Sequence, residues 1–92
     1  MNLIRAAIIG CGKVGALHAA AYKAIEGVEL VAAYDSDLSR CESFGRRFDV
    51  LPFDTVERMV SDAKVDVASI CTPHPLHKVA IQALGAGAHV LV

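Results

Sequence analysis

The 92-residue chain has no tryptophan, two tyrosines, three phenylalanines and only three prolines. Nor does either sign of charge dominate: nine basic and ten acidic residues leave a net charge of -1, so there is no bulk field to collect nucleic acid. The only adjacent basic pair, Arg46-Arg47, reads as the solvated face of a helix. Cysteine is scarce and odd in number. Cys11, Cys41 and Cys71 show neither CxxC nor zinc-ligand spacing, which argues against a disulfide framework and predicts small, reduced, mostly buried thiols. No apolar stretch approaches the ~20 residues needed to span a bilayer. The opening Met1-Asn2-Leu3-Ile4-Arg5 enters a strand at once, without the usual ~7 to 15-residue apolar signal segment, and predicts a cytoplasmic protein. Linkers, low-complexity stretches and internal repeats are also missing. With 54 % hydrophobic and 21 % charged residues, the chain reads as one globular domain around one core.

What is present is an alternation of strand and helix. Ala6 to Ile9 is a short continuous apolar run, as expected of a strand covered on both faces. Val14, Leu17, Ala21 and Ile25 recur at helical spacing and predict the inward face of a first helix ending at Gly27. Val28 to Tyr34 is a second strand. Asp37 is placed to cap a second helix carrying Leu38, Cys41, Phe44 and Phe48 on one face, before a short strand around Val50 to Phe53. Asp54 or Thr55 then starts a small helix with Val56, Met59 and Val60 inward, and Glu57 stands three residues after Asp54 as in a capping box. Asp66 to Cys71 is a fourth strand. Pro75 suits the first turn of a helix carrying Leu76, Val79, Ala80, Ala83 and Leu84, which ends at Gly85-Ala86-Gly87 before a fifth strand from His89.

Right-handed crossovers turn this alternation into an α/β fold with a doubly wound parallel sheet of Rossmann type, strand order 3-2-1-4-5. The first two helices cover one face and the next two the other. The order reverses between the first and fourth strands, so the loops after them diverge and leave a crevice at their carboxyl ends.

Gly10-Cys11-Gly12-Lys13-Val14-Gly15 occupies the first of those loops. Gly10 permits the tight turn out of the strand, Gly12 lets the backbone approach a pyrophosphate, and Gly15 allows close packing of helix on strand. Gly12, Lys13 and Val14 present backbone N–H groups at a helix N-terminus, where the dipole favours an anion. Lys13 does not belong to a GxxxxGK[ST] phosphate loop. Asp35 lies 20 residues beyond Gly15, where a carboxylate accepts both ribose hydroxyls and repels a 2'-phosphate; NAD is therefore expected over NADP, the alternative role being a helix cap. Arg40, one turn into the second helix, is placed for the adenine face or a phosphate, or else for solvent.

Thr72 and Pro73 leave the fourth strand on the other side of the crevice. Pro73 and Pro75 hold this loop extended, which suits a ribose or nicotinamide contact by Thr72, Pro73 and His77. His74 and His77 are three apart but lack an acidic or thiol neighbour to complete a metal site, and no metal is expected. Cys11 and Cys71 should approach one another at the ends of adjacent strands, as buried thiols rather than a redox pair.

With these residues in place, the chain resembles the N-terminal domain of the glucose-fructose oxidoreductase, inositol dehydrogenase and MocA family. The likeness rests on Ile8-Ile9-Gly10-Cys11-Gly12-Lys13-Val14-Gly15, on Ala33-Tyr34-Asp35, on Asp66 through Pro73 followed by His77, and on Ala83 through Val92. It covers essentially the whole chain. His74 departs from the family, where many members carry Asn. The resemblance implies a nicotinamide cofactor and hydride transfer to or from a sugar or polyol-like substrate. It also implies that residues 1–92 form the dinucleotide-binding domain, and that the lysine of a Glu-Lys-Pro segment and a histidine of a sheet domain, both beyond Val92, handle the hydroxyl proton. No catalytic residue is expected within this chain, which should bind cofactor without turnover. A non-enzymatic nucleotide-binding or assembly module is the alternative. A flavodoxin-like or receiver domain fits less well, lacking this loop and acid. The apolar edge Val90-Leu91-Val92 predicts self-association.

Overall fold

A computed structural model of the protein describes residues 3–72 and 77–91. The elements run β1 (Ile4–Ile9), α1 (Lys13–Ala24), β2 (Val28–Tyr34), α2 (Leu38–Phe48), β3 (Leu51–Phe53), α3 (Val56–Asp62), β4 (Val67–Ile70), α4 (His77–Gly85) and β5 (His89–Leu91). Every pairing is parallel, and the strand order is β3-β2-β1-β4-β5, as the sequence predicts. Alternation along the strands separates two apolar layers. Ala7, Ile9, Ala68 and Ile70 pack with Val56, Met59 and Val60 of α3 and with Val79 and Ala83 of α4. Ala6, Ile8 and Ala33 pack with Ala19 of α1 and with Cys41 and Phe44 of α2. Burial of a side chain such as Ile8 or Met59, both fully enclosed, contributes about 1.5–3 kcal/mol.

The register of β1 on β2 shifts once. Ala6 pairs with Leu30 but Ala7 with Ala32, so Val31 is an extra residue in β2. Val31 and Ala32 consequently lie in the same apolar layer, that of α3 and α4, while Leu30 and Ala33 lie in the other.

Several local expectations require correction. The stripe expected to face inward from α1 is largely outward: Val14 is 52 % exposed, Leu17 67 % and Ile25 50 %, while Gly15 and Ala19 are buried. Small residues seat the helix close to the sheet, and the larger ones fall on its flanks. Leu38 and Leu84 are exposed too, at the margins of their helices. The box at Asp54 and Glu57 does not form, because Thr55 is the N-cap and its side chain accepts from Arg58 N. Asp54 instead meets the Arg58 guanidinium at 3.4 Å. Asp37 does cap α2, accepting from Arg40 N at 3.1 Å. The expected roles of Pro73, His74, Pro75, Leu76 and Val92 lie outside the described residues.

Candidate dinucleotide site

β1 ends in a turn that only glycine fits. Gly10 has φ +100°, and a Cβ there would lie 2.8 Å from both the Cys71 carbonyl carbon and the Thr72 nitrogen. The glycine loop and the exit of β4 therefore touch backbone to backbone, which brings Thr72 beside Gly10 as the topology predicts. A Cβ at Gly15 would run into the Gly10 carbonyl oxygen, so Gly15 sets the distance between α1 and β1. Gly12 differs from both. Nothing lies within 4 Å of a Cβ built on it, and as N-cap of α1 it offers no capping side chain. The first turn of α1 contains no acidic residue, leaving the N-terminus of a twelve-residue helix suited to an anion.

The other wall is made at the end of β2. Asp35 is 9 % exposed, and its two oxygens are separately engaged: Oδ2 accepts from Cys11 N at 2.8 Å and Oδ1 from Asp37 N at 2.8 Å. Gly10 N donates to Tyr34 O at 2.8 Å, so two successive amides of the glycine loop are tied to the last residue of β2 and to the residue after it. Asp35 does not cap α2, since that position belongs to Asp37. Arg40 bridges the acids, with Nη1 3.7 Å from Asp35 Oδ2 and Nη2 3.9 Å from Asp37 Oδ2. Its side chain remains 56 % exposed and available to solvent on one side.

A cavity of about 320 Å³ lined by Arg40, Ser39, Ser43 and Arg47 adjoins this wall. A second, of about 420 Å³, is lined by Gly12, Lys13, Leu17 and Ala20. The two share Cys11, Phe44 and Arg47, which gives a cationic groove between α1 and α2. Sequence reasoning missed the contributions of Ser43 and Arg47; the helical spacing of Arg40, Ser43 and Arg47 was the available signal. His77 is the first residue of α4, and the expected contact at Pro73 lies outside the described residues.

The thiols are packing groups. All three are free and buried, and burial pushes each above its ordinary pKa. For Cys11 the nearby Cys41 thiol adds to that effect, ahead of the Asp35 charge. Cys71 belongs to the same apolar layer. Among the described residues no group of three His, Cys, Asp or Glu is placed to hold a metal ion, and no helix is long and apolar enough to cross a membrane.

A turn, helix terminus and acid in this arrangement are matched by a family model described as an oxidoreductase family with an NAD-binding Rossmann fold, over residues 4–92. The chain belongs to this family. It is similar to D-glucoside 3-dehydrogenase of Escherichia coli (strain K12), 36 % identical over 91 residues, which are 96 % of this chain and 26 % of the relative. Among solved structures it resembles GenD2 from gentamicin A biosynthesis in complex with NAD, with TM-score 0.90 and 28 % identity over 100 % of this chain and 27 % of that one. It also resembles KijD10, a 3-ketoreductase from Actinomadura kijaniata in complex with NADP, with TM-score 0.85 and 29 % identity over 98 % of this chain and 29 % of that one. The chain thus spans about a quarter of the length of these relatives. It is a nicotinamide dinucleotide-binding domain of the oxidoreductase type.

Proposed function

We propose that the crevice between the glycine loop and the β4 exit holds NAD in preference to NADP, for hydride transfer to or from a sugar or polyol-like substrate in a longer dehydrogenase. The observation that carries this reading is the Asp35 carboxylate, held at the mouth of the loop by Cys11 N. Backbone N–H groups of Gly12, Lys13 and Val14 face the pyrophosphate, for which the open space at Gly12 leaves room. Asp35 retains lone pairs for the ribose 2'- and 3'-hydroxyls and repels a 2'-phosphate. Arg40 offsets part of the acid's charge and limits how strongly NADP is refused. We assign the nicotinamide side to the β4 exit at Thr72, with Pro73 and His77 as the further contacts that the family resemblance implies.

Bound nicotinamide supplies the hydride chemistry. This chain's own residues bind and orient it, and none is assigned the proton transfer that accompanies hydride transfer; we assign that work to residues of the longer dehydrogenase outside 1–92. The likeness to a D-glucoside 3-dehydrogenase and a 3-ketoreductase supports this substrate class. Calorimetric titration of the purified chain with NAD, NADH and NADPH tests the reading. Binding of NADH tighter than NADPH is expected; absence of heat and of thermal protection with all three rejects it.

A further inference from the structure

The groove between α1 and α2 carries Lys13, Arg40 and Arg47. Arg40 is held between Asp35 and Asp37, whereas Lys13 and Arg47 meet no acid within 4 Å among the described residues. The Arg47 guanidinium is steadied over the Phe48 ring, 4.9 Å from its centroid, a contact that leaves its N–H donors free. Ser43 stands one turn before Arg47 and Ser39 one turn before that. Two hydroxyls thus share the face of α2 that carries both arginines.

The α1 wall is apolar below Lys13. Ala16, Leu17 and Ala20 face Phe44 and Arg47 across the second cavity, and Leu17, the largest apolar side chain of this wall, is 67 % exposed. A groove lined by charges of one sign with apolar walls concentrates their field. Lys13 and Arg47 together balance a dianion, and the serine hydroxyls can donate to its remaining oxygens. A carboxylate would leave one of these two cations unbalanced. The strip of Leu17 and Ala20 offers contact to an apolar body attached to the anion.

We propose that this groove binds a phosphate monoester with a small apolar body, apart from the dinucleotide. Among the described residues none of the β4 exit lines either cavity. Arg47 follows Arg40 by seven residues, ~10 Å along the helix, which spaces it from the ribose position at Asp35. The inference does not rest on the cofactor reading.

The test titrates the 92-residue chain with phenyl phosphate and with inorganic phosphate by calorimetry at constant ionic strength. Saturable binding of both is expected, phenyl phosphate being tighter by about fivefold through the apolar strip. Arg47→Gln should weaken both probes by about 10-fold, and Arg47→Lys by less. Leu17→Ala should abolish the preference for phenyl phosphate. Both side chains are exposed, so the variants should fold, as circular dichroism would show. Absence of heat with either probe, wild-type affinities in Arg47→Gln, or an unchanged preference in Leu17→Ala overturns the proposal. Phenyl phosphate should still bind under saturating NADH or NADPH. Displacement by NADH would assign the ester to the pyrophosphate position, and displacement by NADPH alone to the ribose 2'-phosphate; either overturns the proposal. If NADH itself does not bind, the cofactor reading fails and the variants alone decide this one.

Discussion

Cys11 N donates to Asp35 Oδ2 at 2.8 Å, so the amide between the first two glycines of the loop is anchored on the acid that ends β2. Cofactor selection and loop geometry thereby depend on one carboxylate. Asp35→Asn keeps an oxygen for Cys11 N but removes the charge. It should weaken NAD by about 10-fold or more and move the NAD-to-NADP preference toward NADP, as Arg40 loses one of its two acidic partners. Affinities by calorimetry decide; an unchanged ratio would mean the carboxylate has no part in discrimination.

The three loop glycines should separate by role. Gly10→Ala and Gly15→Ala each place a methyl against backbone, and at Gly10 the positive φ adds to the strain, so losses of about 2 kcal/mol or more are expected in urea unfolding. Gly12→Ala meets no atom within 4 Å and should cost about 1 kcal/mol or less through the weaker N-cap, while NAD binding falls sharply. Similar stability losses at all three positions would show that Gly12 serves packing alone.

Much of this arrangement is legible in the sequence because it rests on local signals: the apolar run into Gly10, the Asp37 cap, and the alternation that fixes strand order. The inward face of α1 is not legible in the same way. Val14, Leu17, Ala21 and Ile25 carry the bulk and form a helical stripe, but close approach of α1 to β1 demands the small surface of Gly15 and Ala19 instead. Size marks which residues are apolar, whereas the permitted separation of the two backbones decides which of them lie underneath. The partner of Asp35 was hidden for a related reason, since a main-chain amide leaves no trace in side-chain pattern.

Tyr22 and Ser69 share a hydrogen bond of 2.6 Å between α1 and β4, and Ser69 is fully buried. Tyr22→Phe strands the serine hydroxyl and should cost about 1–3 kcal/mol. Adding Ser69→Ala should recover part of that loss. A double variant as unstable as the sum of the two single ones would show the hydroxyls to be uncoupled.

Stability should fall in alkaline solution. Thiols ionise near 9 when unfolded, but burial raises all three in the folded domain, so above that pH the unfolded chain binds fewer protons. The full contribution is present below pH 9 and is lost as pH rises. Cys11→Ala should flatten the slope between pH 9 and 10 by up to about 1.4 kcal/mol per pH unit. Urea midpoints across that range measure it, and parallel curves for wild type and variant would contradict it.

The extra residue at Val31 has a consequence at the far end of its strand. Beyond the bulge, Ala33 and then Asp35 point to the α1 and α2 side, whereas an unbroken alternation from Leu30 would send Asp35 toward α3. The side on which the acid stands is thus a matter of register: a β2 of the same length without the bulge would keep its glycines and its acid and present them to opposite sides of the sheet.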